Sequence, residues 1–149
     1  EQDCLIDLPV DASIPNDYIS STPQRLDIYK MIANIRSDSQ ANDVYDELTD
    51  RFGVPPAPVY GLVEIALLRN VAQKLGIYEI RQIGSAVRFF INDIKPEYLI
   101  ALNEKMRGRA KLNSGKKTFI SVETIGGDTI GCVRDTLMLL DKSAKSENE

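Results

Sequence analysis

The sequence predicts an α+β fold: an N-terminal helical half, then β-hairpins with a short helix between them and a C-terminal helix. Three observations predict it. Apolar residues recur at helical spacing as far as Leu75, and the pattern shifts after Gly76. Gly84-Ser85 and Ser114-Gly115 then punctuate short apolar runs at hairpin positions. Capping and stop residues bracket the helical stretches. Helices first and hairpins later place the chain in the α+β class.

Residues 1–22 read as an extended N-terminal arm, because Pro9 and Pro15 suit an edge strand or an arm. Ser21 or Thr22 can cap a helix with Pro23 near its first turn. This helix is expected to reach about Arg36. Leu26, Tyr29, Ile32 and Ala33 make its main stripe, and Ile28, Met31 and Ile35 widen the apolar arc. Ser37 and Gln40 have capping-box spacing and open a second helix. Gly53 ends it, and Pro55 and Pro56 prevent continuation. A third helix spans about Pro58 to Leu75 and stops at Gly76. Val59, Leu62, Val63 and Ala66 point one way along it, and Leu68, Val71 and Leu75 roughly the other, so its two halves are expected to meet different partners.

Ile77–Ile83 and Ala86–Asn92 are expected to be strands of one hairpin. Pro96–Met106 is a short helix with Tyr98, Leu99 and Leu102 inward. Ala110–Asn113 and Thr118–Glu123 form the second hairpin. Gly126-Gly127 is a hinge, and Asp128 caps a last helix to about Asp141, with Ile130, Val133, Leu137 and Leu140 in register. The expected organisation is the arm over 1–22, one α+β domain over 23–141 and a polar disordered tail over 142–149.

Composition narrows the function. With 149 residues, 43% hydrophobic and 27% charged, the chain has ordinary globular content and can bury a core. No apolar run approaches the roughly 20 residues that span a bilayer, and no secretory signal opens the chain, so no membrane partner is expected. The chain opens on Glu1 with no Met near it and is expected to be a piece of a longer protein. A net charge of −4 argues against a general nucleic-acid binder. Cys4 and Cys132 lie far apart and read as free thiols of a reducing compartment. Histidine is absent, which removes Ser-His and Cys-His nucleophilic chemistry and the commonest zinc ligand. Gly126-Gly127 is followed by Asp128-Thr129-Ile130 and lacks the Gly-Lys-Ser/Thr of a P-loop. No cofactor or metal is expected, and no catalytic residue is nominated.

The stretch Val44–Pro58 is the most informative. At about 100° per residue, Ala41, Val44, Leu48 and Phe52 share one helix face, and Asp43, Asp46, Glu47 and Asp50 share the opposite one. Asp43 with Glu47, and Asp46 with Asp50, are like-charge pairs that cost about 0.2–0.5 kcal/mol each. The row is expected to go without local basic partners. A straight row of this kind cannot wrap a hard cation, nor does it face a second carboxylate across a cleft. Two readings stay open: a solvated acidic face, or a docking face for a basic partner. The stretch Lys105–Lys117 is the opposite in sign. Lys105, Arg107, Arg109, Lys111, Lys116 and Lys117 read as a solvated hairpin or as a contact to a nucleic-acid backbone. No aromatic residue interleaves with them before Phe119.

Six segments in register then carry a resemblance. Ser-Ile-Pro-Asn-Asp-Tyr-Ile (13–19), Gln-Arg-Leu-Asp-Ile-Tyr-Lys-Met-Ile-Ala (24–33) and Glu-Leu-Thr-Asp-Arg-Phe-Gly (47–53) come first. Pro-Pro-Ala-Pro-Val (55–59), Glu-Ile-Ala-Leu-Leu-Arg (64–69) and Ala-Gln-Lys-Leu-Gly-Ile (72–77) follow. Together they resemble the C-terminal domain of bacterial transcription-repair coupling factors, the Mfd family, over roughly 5–125 and most strongly over 10–77.

The resemblance implies a parent that is an ATP-dependent DNA translocase of the bacterial cytoplasm. Such a parent removes stalled RNA polymerase at DNA lesions and recruits nucleotide excision repair through UvrA. It implies a non-catalytic regulatory domain that packs against the parent's UvrB-like N-terminal module and so covers the UvrA-binding surface. This autoinhibition is released when the motor engages polymerase and DNA. The family's contact uses acidic residues of the Glu-Leu-x-Asp-Arg-Phe-Gly segment, which here are Glu47 and Asp50. Asp43 and Asp46 join them only as neighbours on the same face. The alternative is a nucleic-acid-contacting module using the basic hairpin 105–117.

Overall fold

A computed structural model describes residues 3–147. Among the described residues, five helices and a five-stranded mixed sheet follow in the order β1 (Leu5–Asp7), α1 (Thr22–Ala33), α2 (Asp38–Phe52), α3 (Ala57–Lys74), β2 (Ile77–Ile83), β3 (Ala86–Ile91), α4 (Pro96–Lys105), β4 (Ala110–Ser114), β5 (Thr118–Glu123) and α5 (Thr129–Glu147). The fold is α+β, as the sequence predicts. The chain forms two compact units. One is Val10–Asn70; the other joins the chain up to Pro9 with the chain from Val71 onward, so the N-terminal arm is shared out between them. The unit Val10–Asn70 has an apolar cluster of its own.

In the unit Val10–Asn70, Ile28, Ile32 and Ile35 are buried with Ala41, Val44, Leu48, Val59, Val63 and Ala66 in one core cluster. The buried stripe of α1 is therefore Ile28 and Ile32, four apart, and Ile35 is buried just past the helix end. Leu26, expected inward, is 55% exposed, and Ala33 is also exposed. Both stripes satisfy helical periodicity; the three β-branched isoleucines fill the core. Tyr29 lies half-buried at the edge, where its hydroxyl accepts from the Ile14 N–H at 2.9 Å. Ser21 caps α1 by accepting from the Gln24 N–H, and the helix stops at Asn34, short of Arg36. Asn70 Nδ2 donates to the Arg36 carbonyl at 3.0 Å and fixes the exposed link into α2. Gly61 lets the arm approach α3: a Cβ there would lie 2.7 Å from the Asp11 carbonyl oxygen.

In the other unit the strand order is β1-β2-β3-β5-β4, with β1 parallel to β2 and the remaining pairs antiparallel. The two expected hairpins are β2–β3 and β4–β5. Their joining through β3 and β5, and the addition of β1 as an edge, are pairings the sequence pattern does not carry. Val87, Phe89, Ile120 and Val122 are fully buried on one face, where α5 packs, with α4 packed against α5. Val133, Leu137 and Leu140 supply the α5 side. On α4, Tyr98 and Leu102 are buried as expected, but Leu99 is 39% exposed.

Asp128 Oδ1 accepts from the Gly131 N–H at 2.9 Å and caps α5. The helix runs to Glu147, past the expected end at Asp141. Residues 142–147 of the expected disordered tail are thus helical, and 148–149 lie outside the described residues. An Asp141–Lys145 ion pair at 3.0 Å and a Ser143 hydroxyl bond to the Leu140 carbonyl at 2.8 Å hold the extension locally. No helix among the described residues is long and apolar enough to cross a membrane.

Candidate functional site

The acidic face of α2 is held by defined ends. Ser37 is extended at φ −150°, ψ 162°, and its Oγ accepts from the Gln40 N–H at 3.2 Å. Gln40 Oε1 accepts from the Arg36 N–H at 2.6 Å, one residue ahead of the donor that a capping box would use. At the other end Gly53 takes φ 86°, ψ −177°, a conformation open to glycine, and its N–H donates to the Thr49 carbonyl at 3.1 Å. The Tyr18 hydroxyl donates to the Gly53 carbonyl at 2.7 Å and lies 3.3 Å from that of Leu48. Burial pushes the Tyr18 phenol up from its ordinary value, with Tyr60 adding to the shift. The arm residue Tyr18 thus ties down the last turn of the helix, and its ring meets Phe52 edge-on at 6.0 Å.

Ala41, Val44 and Leu48 are buried, as the periodicity predicts, and Phe52 is half-buried. On the far side Asp43, Asp46 and Asp50 are exposed and make no hydrogen bond or ion pair among the described residues. Glu47 differs. Arg51, four residues on, reaches its Oε1 at 3.3 Å, so the expectation of a row without any basic partner fails at this position. The spacing of four, with the acid N-terminal to the base, is the favourable orientation for such a pair. The Arg51 guanidinium also lies 4.9 Å from the Phe52 ring centroid. The face therefore presents three uncompensated carboxylates and one shared one. Asp43 to Asp50 spans about 10 Å along a helix.

Such an array offers negative charge along one exposed helix face. It is suited to meeting a basic surface.

The basic stretch is less uniform than its sequence. Lys105, Arg107, Lys111, Lys116 and Lys117 are exposed. Arg109 is half-buried and spends its guanidinium on the Glu123 carbonyl, at 3.2 Å from Nε and 3.0 Å from Nη2. The sequence reading missed an aromatic pair beside it: Phe90 and Phe119, on neighbouring strands, lie 5.1 Å apart. Arg88 lies over Phe119 at 4.6 Å and Lys117 over Phe90 at 5.8 Å. Both rings are buried under these cations, so they form no open stacking platform. Cys4 and Cys132 are buried free thiols.

A family model described as the TRCF domain matches residues 8–101, which include the whole of α2. The chain belongs to the TRCF domain family. Among curated relatives, the transcription-repair-coupling factor of Escherichia coli K12 is 34% identical over 115 residues, covering 75% of this chain and 10% of that protein. Its Mycobacterium tuberculosis counterpart is 42% identical over 85 residues, or 57% of this chain and 7% of that protein. The Bacillus subtilis one is 32% identical over 127 residues, or 81% and 11%. The chain thus spans about a tenth of the length of these relatives. A crystal structure of the C-terminal domain of a transcription-repair coupling factor superposes with a TM-score of 0.81. It covers 97% of this chain and 93% of its own, at 21% identity, and so shares the α+β fold of this TRCF domain.

Proposed function

We propose that this TRCF domain is a non-catalytic regulatory element of a transcription-repair coupling factor, an ATP-dependent DNA translocase. In the parent it packs against the UvrB-like N-terminal module through the acidic face of α2 and withholds the surface that recruits UvrA. RNA polymerase and DNA act on it indirectly, through the motor, in the bacterial cytoplasm. The observation that carries this reading is the run of exposed, unpartnered carboxylates at Asp43, Asp46 and Asp50 beside Glu47, on a helix anchored at both ends.

The energetics suit a switch. Rim ion pairs contribute about 0.2–1 kcal/mol each. Tethering raises the effective concentration of the two halves, so a small intrinsic affinity suffices. States that differ by a few kcal/mol can then be exchanged by events at the motor. Reversing Glu47→Arg with Asp50→Arg in the full-length parent is expected to increase UvrA binding several-fold in a pull-down or anisotropy titration. The excised domain should keep its circular dichroism spectrum and unfold cooperatively. Unchanged UvrA binding by a folded double variant would sink the assignment of this face. The alternative, nucleic-acid contact through 105–117, is supported by five exposed cations there but not by open rings.

A further inference from the structure

We propose that the free edge of β4 binds an extended acidic peptide of alternating apolar and carboxylate residues, added to the sheet as a sixth strand. β4 is a terminal strand of the sheet. Its hydrogen-bond parity follows from one contact: the Glu123 N–H donates to the Arg109 carbonyl at 3.0 Å, which makes Arg109 and Glu123 a bonded pair. In an antiparallel ladder bonded and non-bonded pairs alternate. The register pairs Lys111 with Ser121 and Asn113 with Phe119, and these then exchange bonds across the ladder. Ala110, Leu112 and Ser114 therefore turn their backbone groups away from β5. The Ala110 N–H is taken by the Met106 carbonyl at 3.0 Å. The N–H groups of Leu112 and Ser114 and the carbonyls of Ala110 and Leu112 face outward. They offer a ready pairing template.

The side chains select the occupant. Between α4 and β4 opens a cleft of about 110 Å³, lined among others by Leu99, Leu102, Leu112, Ile120 and Arg107. Leu99 and Leu112 are 39% and 45% exposed. A strand laid beside β4 would turn every second side chain to the cleft side, next to Leu112, and the intervening ones to the side of Lys111. The first set meets apolar surface and the second meets cations. Residues 105–117 hold six cations and no carboxylate. A second copy of the same edge would bring like charges together, so the edge disfavours its own kind and favours an acidic strand.

The test uses the full 149-residue chain and a fluorescent octapeptide, Val-Asp-Leu-Glu-Val-Asp-Leu-Glu. Its anisotropy should report saturable binding, with amide shifts centred on Leu112 and Ser114 and slowed hydrogen exchange at those two N–H groups. N-methylation of alternate peptide residues keeps charge and apolar content but blocks strand pairing; it should weaken binding at least tenfold when placed on the edge-facing set. Arg107→Glu with Lys111→Glu should also weaken it at least tenfold. Equal binding of the N-methylated peptide, or shifts elsewhere, would overturn the proposal. So would tighter binding of an oligothymidylate at the same residues, or concentration-dependent shifts marking self-association through β4.

Discussion

Asp50→Arg is expected to stabilise the isolated domain. Asp50 is exposed, has no partner among the described residues and lies in the last turn of α2, where the helix dipole disfavours a negative charge. The substitution removes the Asp46–Asp50 repulsion, about 0.2–0.5 kcal/mol, and creates an opposite-charge pair of similar worth at the same spacing. Placing a cation rather than an anion at the helix end adds about 0.3–1 kcal/mol. The sum is about 1 kcal/mol, or about 2–4 °C in Tm for a chain of this size. Urea unfolding at 50 mM and 500 mM salt is the assay. The gain should be largest at low salt, because the Debye length falls well below 10 Å at the higher concentration. Asp50→Asn should show roughly half the effect. A loss of stability, or a gain indifferent to salt, would refute the view that this row is a local liability. In the full-length parent the same substitution should raise UvrA binding. Higher stability without that rise would leave the local electrostatics standing and remove the proposed clasp.

Other perturbations test the frame around the face. Ser37→Ala removes the acceptor for the Gln40 N–H and should cost about 1 kcal/mol in urea unfolding. Gly61→Ala forces a Cβ against the Asp11 carbonyl, a backbone atom, and should cost about 1–3 kcal/mol. Burial pushes the Cys132 thiol above its ordinary value near 9, against the lowering effect of Arg109 and of the Thr136 hydrogen bond. Above that pH the unfolded chain loses the thiol proton while the folded chain keeps it. Stability should therefore fall as pH rises from the unfolded towards the folded value, and the effect should vanish in Cys132→Ala. Iodoacetamide should label Cys132 only on unfolding.

Much of the fold is legible where the signal is local. The caps at Ser21, Ser37 and Asp128, the stop at Gly53 and the hairpin turn at Gly84-Ser85 are local chemistry and occur where spacing places them, whereas the second turn falls at Gly115–Lys117 because Ser114 extends β4 and pairs with Thr118. The α1 stripe is not legible, because Leu26 and Ile28 both lie on arcs of helical period and only packing decides between them. The pairing of β3 with β5 and of β1 with β2 is long-range, and nothing in strand composition records which edge meets which. The extension of α5 rests on polar side-chain contacts that leave no apolar period. On the candidate face, the four carboxylates follow from spacing alone. The Glu47–Arg51 pair was equally legible by the same rule of four, and it changes which charges are free.

That pair bears on how the face would discriminate. The unit Val10–Asn70 carries nine carboxylates against five cations, so the whole net charge of −4 resides there. The remaining residues balance, with six of their cations concentrated over 105–117. Net charge therefore conceals two surfaces of opposite sign, each suited to a partner that the other would repel. Within the acidic one, Arg51 already neutralises part of Glu47, so a basic partner gains more from Asp43, Asp46 and Asp50 than from Glu47. Removing Arg51 as Arg51→Gln would free Glu47 and deepen the negative potential by one charge. At about 10 Å through water that is worth about 0.4 kcal/mol. If the proposed clasp forms, it should then close about twofold more tightly, and UvrA binding by the parent should fall by the same factor. A rise would place Arg51 itself in the contact, as a donor rather than a competitor, and would reassign the centre of the face towards the C-terminal turn of α2.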